Sequence, residues 1–426
     1  MTRLARPCLA VIMFVAASAV SAQSLDVRAG RLIEPASGRV LTNQRVRIAD
    51  GRIASVAPWR AEGGAALDWS GFTVLPGLID MHTHLADGTI GSGSDPAEPL
   101  KHSEASTILK GAVAARTMLR AGFTTVRDAG VYRGLTDVAL RDAIAAGHAE
   151  GPRMLVAGGY ITTPGGGGDL DALSADVLIP SAFRMGVVRN AEEARDRARL
   201  LLDRGADFIK LIATGAVLAL GSEPGALELS PEEMKAACDE ANLRSKYCIA
   251  HAHGAEGIKA AIRAGARTIE HASYLDAEGI ALAKARGVWL DMDIYNGDWI
   301  EEVGTKEAWP AEYLRKNRET TDIQRRGFAA AVRAGAKLTY GTDAAVYPYQ
   351  YAARQFAYMV RFGMTPLQAI RSATSEAAKA LRMDGRVGTL APGAYGDLIA
   401  VKGDPLSDVR VLERVEGVVK EGKVIR

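Results

Sequence analysis

Five of the seven histidines fall in three short motifs, His82-Thr83-His84, His251-Ala252-His253 and Ile269-Glu270-His271. Two further residues accompany them: Lys210 in Phe208-Ile209-Lys210-Leu211-Ile212, and Asp343 in Gly341-Thr342-Asp343. Imidazole nitrogens and carboxylate oxygens are the donors that hold zinc-like cations. His82 and His84 are alternate residues of an extended run, so both project to one face and can share a cation. Taken alone, the pair serves equally as two structural or surface histidines.

Lys210 shifts the balance. A charged amine is costly to bury in so apolar a run, and burial lowers its pKa. A neutral amine can add carbon dioxide to give a carbamate, whose two oxygens can bridge cations about 3.5–4 Å apart. The alternative is a side chain that snorkels to solvent from the strand end. His251 and His271 then suit the second cation. Asp343 suits the first, and a carboxylate there can take a proton from water and pass it to a leaving amine. It could also cap the helix that follows. His253 faces the same way as His251, either to hold a substrate carboxylate or to orient the ligands. Tyr295 is a further candidate for the substrate pocket.

Most of these residues end an apolar, β-branched run, and the middle of the chain alternates such runs with helical patterns. Strands are expected near 73–84, 124–128, 153–157, 208–213, 247–253, 268–271, 288–294 and 337–342. Helical stretches such as 191–202 and 256–264 lie between them. Several close on an Arg-Ala-Gly-like sequence, at Gly122, Gly205, Gly265 and Gly335, which suits a left-handed helix end. Eight such units predict an α/β fold, a (β/α)8 TIM-like barrel over residues 73–384, with its chemistry at the C-terminal ends of the strands. Two connections, 158–188 and 295–318, are longer than closure needs. The second holds Trp299 and Trp309, which would suit a bulky aromatic acyl group. Both termini are β-rich, with turns at Ser37-Gly38, Asp50-Gly51 and Glu421-Gly422, so residues 23–72 and 385–426 are expected to form one small composite β-sandwich domain.

The 52 Lys+Arg and 50 Asp+Glu residues give a net charge of +2 without a basic stripe, which argues against nucleic acid as a partner. Arg3 and Arg6, the apolar run from Leu9 to Ala17 and Val20-Ser21-Ala22 read as a signal peptide over residues 1–22, cleaved near Ala22. A periplasmic or secreted protein with no membrane span after signal removal is expected. That compartment permits a disulfide between Cys238 and Cys248, although two buried thiols are the simpler expectation.

The motifs also resemble a known family. Leu75-Pro76-Gly77-Leu78-Ile79-Asp80-Met81-His82-Thr83-His84 is similar to the first-strand signature of the amidohydrolase superfamily, and the later motifs match in order. The resemblance covers the whole mature chain. It falls in the subtype with two metals and a carboxylated lysine, nearest the Xaa-Pro and Xaa-Arg/Lys dipeptidases and the ochratoxin-degrading amidohydrolases. It implies His82, His84 and Asp343 on one metal, His251 and His271 on the other, and carboxylated Lys210 between two Zn2+ or similar cations. It also implies a homo-oligomer acting on a small amide or dipeptide and releasing a C-terminal amino acid, with ochratoxin A as a candidate substrate. One departure is visible: where relatives often carry Gly-Gly-His-Gly-Asp, this chain has Gly166-Gly167-Gly168-Asp169. The same ligands would also serve a cyclic-amide hydrolase of the dihydroorotase or hydantoinase kind, or a catalytically silent metal-binding homologue.

Overall fold

The computed structural model describes residues 24–61, 66–87, 95, 97–170, 173–174 and 176–426, and the expected signal segment lies outside them. Four strands open the described chain: β1 (Ser24–Glu34), β2 (Arg39–Ala49), β3 (Arg52–Pro58) and β4 (Leu67–Pro76). Nine follow in the α/β region: β5 (Leu78–Thr83), β6 (Phe123–Asp128), β7 (Arg153–Val156), β8 (Tyr160–Ile161), β9 (Ile209–Ile212), β10 (Cys248–Ala252), β11 (Thr268–His271), β12 (Trp289–Asp291) and β13 (Lys337–Thr339). The chain ends with β14 (Leu398–Val401), β15 (Val415–Lys420) and β16 (Lys423–Val424).

Both termini meet in one seven-stranded sheet of order β16-β15-β14-β4-β1-β2-β3. It encloses its own apolar core, in which Val27, Leu32 and Val46 from the first strands meet Leu398, Ala400 and Val419 from the last. The run 73–84, expected as one strand, is two. β4 pairs antiparallel with β14 in the terminal sheet, and the chain then crosses at Gly77 into β5, which pairs parallel with β6. A Cβ at Gly77 would lie 2.1 Å from Thr124 Oγ1, so the crossing needs a residue without a side chain.

β5 to β13 form a parallel (β/α)8 barrel. β7 pairs with β6 and β8 with β9, and the two make one barrel position interrupted at Gly158 and Gly159. The ends close where Met81 N donates to Tyr340 O at 2.8 Å and His84 N donates to Ala344 O at 3.0 Å. Helices Ala191–Asp203 and Ala255–Ala264 lie where the apolar spacing placed them. Gly122, Gly205, Gly265 and Gly335 all adopt positive φ, between +66° and +106°. The connection expected as a loop after the seventh strand is instead a pair of helices, Asn296–Lys306 and Ala311–Arg333. Only their joint, around Trp309-Pro310, lacks helix.

Cys238, in helix Pro231–Leu243, and Cys248, at the start of β10, form a disulfide with Cα atoms 5.2 Å apart. The expectation of two buried thiols is thereby corrected. The helix ends and the chain folds straight back into the strand, which brings the two side chains together. Closing so short a loop restricts the unfolded chain, so reduction is expected to cost about 2–4 kcal/mol. The measurement is a lower urea midpoint for the Cys238→Ser/Cys248→Ser protein than for the parent. Equal midpoints would show that the bridge is absent or contributes nothing.

Candidate metal centre

The C-terminal ends of the barrel strands bring the sequence motifs into one cavity of about 220 Å³, lined among others by His82, His84, Lys210, His251, His253, His271 and Asp343. On one side the donor atoms of His82, His84 and Asp343 lie within 4.8 Å of one another, and on the other so do those of His251, His253 and His271. Lys210 is 1% exposed, and its Nζ lies 3.5 Å from His82 Nε2. The snorkelling alternative is therefore not what the fold does. His253 joins His251 and His271 as a third imidazole, with its Nδ1 2.7 Å from Ser273 Oγ.

Local backbone geometry presents these groups. His271 at φ +67° and Asp343 at φ +56° are both left-handed, a conformation that costs about 1–3 kcal/mol for such residues and is commonly kept at functional sites. Asp80 holds one of these turns in place. Its Oδ1 accepts from the backbone N of His82 and of Thr342, each at 3.1 Å, and its Oδ2 accepts from Thr342 Oγ1 at 2.6 Å. The Asp343 turn is thus tied to the strand that carries His82 and His84. Gly341 permits the close approach, since a Cβ there would meet Asp291 Oδ2 at 2.1 Å.

The charges suit cations. Burial, with Lys210 adding to it, holds His82 well below its ordinary pKa, and burial does the same for His251 and His253. These rings are neutral and able to donate lone pairs. Burial opposes the charged form of His84, yet Asp343, only 3.1 Å from His84 Nε2, outweighs it and lifts the pKa to about 9. Burial likewise opposes ionisation of Asp343, and His82 and His84 outweigh it and hold the carboxyl well below its usual range. Burial lowers the Lys210 ammonium to about 8. Three neutral imidazoles, two more (His84 and His271) whose pKa the carboxylates of Asp343 and Asp293 raise, one anionic carboxylate and one buried amine make a donor set that fits divalent cations once those two rings lose their protons.

Several residues that the sequence motifs did not assign hold these side chains. Glu270 Oε2 lies 3.0 Å from His82 Nδ1, and Arg127 Nη2 donates to Glu270 Oε1 and Oε2 at 2.9 and 2.8 Å. Burial opposes ionisation of Glu270, but Arg127 outweighs it and keeps the carboxylate anionic. The His82–Glu270–Asp291 group also has donor atoms close together, but it lies against the fully buried Arg127 guanidinium and is an ion-pair network. On the other side Asp293 Oδ1 lies 3.0 Å from His271 Nδ1 and accepts from Gln324 Nε2 at 3.0 Å. Asn296 Nδ2 donates to Asp293 Oδ2 at 2.7 Å and to Asp343 Oδ2 at 3.3 Å. Glu270→Gln keeps the shape and removes the charge that orients His82. Metal affinity is expected to fall about 10–100-fold, measured by competition with a chromophoric chelator. An unchanged affinity would make Glu270 purely structural.

Two expectations need correction. Tyr295 does not line the cavity. It is 5% exposed, packs on Tyr347 and Tyr358, and its hydroxyl accepts from Arg354 Nη1 at 3.0 Å. Of the two tryptophans, Trp309 lines the cavity, while Trp299 packs on Tyr347 and Tyr351 outside it. Aromatic walls come instead from Tyr132, Tyr160, Trp309 and Tyr313. The glycine loop reaches the wall at Gly167 and Asp169, and a Cβ at Gly167 would lie 2.8 Å from Ala216 Cβ. A side chain at that point needs the facing loop to move.

This barrel, with its histidines, lysine and aspartate gathered at the strand ends, belongs to the amidohydrolase family, whose model matches residues 73–425. Ochratoxinase of Aspergillus niger is 30% identical over 448 aligned residues, covering 97% of this chain and 88% of that one. Its crystal structure superposes with a TM-score of 0.82 at 29% identity, over 95% and 96% of the two chains. A Xaa-Pro dipeptidase with methionine bound in its active site gives a TM-score of 0.86 at 32% identity, over 94% of this chain and 99% of that one. A prolidase complexed with N-methylphosphonate-L-proline gives 0.86 at 30% identity, with the same coverage. Among the described residues no helix is long and apolar enough to cross a membrane.

Proposed function

We propose that the chain is a binuclear metal-dependent amide hydrolase that releases the C-terminal amino acid from dipeptides or N-acyl amino acids. Ochratoxin A, which would give ochratoxin alpha and phenylalanine, is a candidate substrate. The observation that carries this reading is that Lys210, buried and 3.5 Å from His82, shares one cavity with a donor group of His82, His84 and Asp343 and another of His251, His253 and His271. The likeness to a Xaa-Pro dipeptidase and to ochratoxinase supports the substrate class.

In this reading two divalent cations, zinc by donor type, would be held by those residues together with a carboxylated Lys210. Bound there, they would supply an activated water and a Lewis acid for the amide carbonyl. The chain's own residues do the rest. Asp343, anionic and steadied by Asn296, takes the proton from water and delivers it to the departing nitrogen as the C–N bond breaks. His253, braced by Ser273, offers its other ring nitrogen to the cavity, as a further ligand or as a contact for the substrate. Tyr132, Tyr160, Trp309 and Tyr313 enclose the acyl and amino-acid side chains and limit water. The disulfide between Cys238 and Cys248 is consistent with work in an oxidising compartment such as the periplasm.

The test is release of free amino acid from Xaa-Pro, Xaa-Arg and Xaa-Phe dipeptides and ochratoxin A, with dihydroorotate and a hydantoin alongside. Amino-acid release supports the proposal. Ring opening alone would move the activity to cyclic amides, and inactivity of metal-replete protein on the whole panel would overturn it.

A further inference from the structure

Asp87 stands on the cavity wall and takes no part in the chemistry above. It is 8% exposed. Tyr132 N donates to its Oδ1 at 3.0 Å. The Tyr160 hydroxyl bonds to its carboxylate and also lies 3.1 Å from His84 Nδ1. Burial lifts its pKa to about 6, against the lowering by His84 and by the bonds from Tyr132 and Tyr160.

What Asp87 lacks is a cation. Two other wall carboxylates have theirs: Asp169 Oδ2 meets Arg184 Nη1 at 2.5 Å, and Asp95 meets Lys101, while Asp293 faces the imidazole of His271. Among the described residues no Lys or Arg forms an ion pair with Asp87, and the charge acting on it is that of His84, which bonds to Asp343. In sequence, residues 88–96 read Gly-Thr-Ile-Gly-Ser-Gly-Ser-Asp-Pro and include no Lys or Arg. Lys210 is the one Lys or Arg among the residues lining the cavity, and it sits among the metal donors. Behind the wall, Asp128 is held by Leu85 N and Thr83 Oγ1, and Asp137 by Gly158 N and Val138 N, so neither supplies Asp87 with a positive charge.

A buried carboxylate facing a cavity without a counter-charge is costly and attracts a cation from outside. Metals at the donor groups would balance Asp343, but among the described residues no Lys or Arg pairs with Asp87 and its bonds from Tyr132 and Tyr160 are uncharged. A dipeptide carries a cation at the right place, since its α-ammonium is two bonds from the scissile carbonyl carbon. Asp87 is one tyrosine hydroxyl away from His84, which touches the proton carrier Asp343. We propose that Asp87 receives the substrate's α-ammonium and so makes the site prefer dipeptides with a free amino terminus over N-acyl amino acids of the same shape. This rests on the amide-hydrolase reading of the same site.

The test uses metal-loaded full-length mature protein and two substrates, L-Ala-L-Phe and L-lactoyl-L-Phe, in which a hydroxyl replaces the ammonium. The readout is the ratio of their kcat/KM values, in which general damage to the site cancels. A charged hydrogen bond predicts a ratio of at least about tenfold in favour of Ala-Phe, falling towards one in Asp87→Asn. A wild-type ratio near one overturns the proposal while leaving amide hydrolysis intact, and this measurement needs no variant. A high ratio that survives in Asp87→Asn overturns the role of Asp87. Hydrolysis of neither substrate, nor of any other amide, by protein with its metals bound would overturn the underlying reading and this inference with it.

Discussion

Asp343→Asn is expected to lower kcat by about 10²–10⁴-fold, the usual contribution of a positioned proton carrier. The carboxylate lies 3.1 Å from His84 Nε2 and 3.5 Å from His82 Nε2, and it accepts from Asn296 at 3.3 Å. Asparagine retains the shape and one acceptor oxygen but cannot carry the proton from water to the leaving nitrogen. Metal content measured on the same sample separates its two roles. A large loss of rate with both metals present marks the proton transfer, and a loss that tracks lost metal marks ligation. Activity within a factor of three of the parent would remove Asp343 from the chemistry.

The second large effect is expected at Lys210. Lys210→Met should reduce kcat/KM by about 10³-fold or more, because losing the bridging group removes several kcal/mol of transition-state stabilisation. The folded state is expected to respond in the opposite sense. A buried ammonium costs desolvation that its neighbours only partly return, so metal-free Lys210→Met should melt no lower than metal-free parent protein. That pairing distinguishes a functional lysine from a structural one, since replacing a structural lysine would lower both. Carbamate formation also needs carbon dioxide. Metal-free protein refilled in carbon-dioxide-free buffer should therefore regain activity more slowly than in bicarbonate, and identical recovery would speak against carboxylation.

The donor residues were legible because each carries a type and a spacing that physics restricts. A lysine inside Phe-Ile-Lys-Leu-Ile, or two histidines two residues apart at the end of an apolar run, has few uses in a barrel. Helix ends were legible from glycines that must turn left-handed. The supporting residues were less so. Arg127 and Asp128 stand in a strand as fully buried as its neighbours, but nothing local names Glu270 as the partner of Arg127 across the barrel. Asp293, Asn296 and Gln324 meet His271 and Asp343 only through tertiary contacts. The sequence after the seventh strand suggests a loop where the structure has a pair of helices, and it suggests a pocket role for Tyr295. The orientation of Tyr295 is set by packing on Tyr347, Tyr358 and Arg354, all far along the chain. The disulfide escaped for a similar reason: its distance depends on how sharply the chain reverses after helix Pro231–Leu243.

The most direct test of the central claim is the number of metals that activity requires. Metal-free protein is titrated with zinc in bicarbonate buffer while amino-acid release is followed, and bound metal is counted by elemental analysis. The donor set predicts activity that rises to a maximum at two equivalents per chain, with Lys210→Met unable to hold the second. Full activity at one equivalent, or activity unaffected by thorough removal of metal, would contradict the two-metal centre and the bridging role of Lys210.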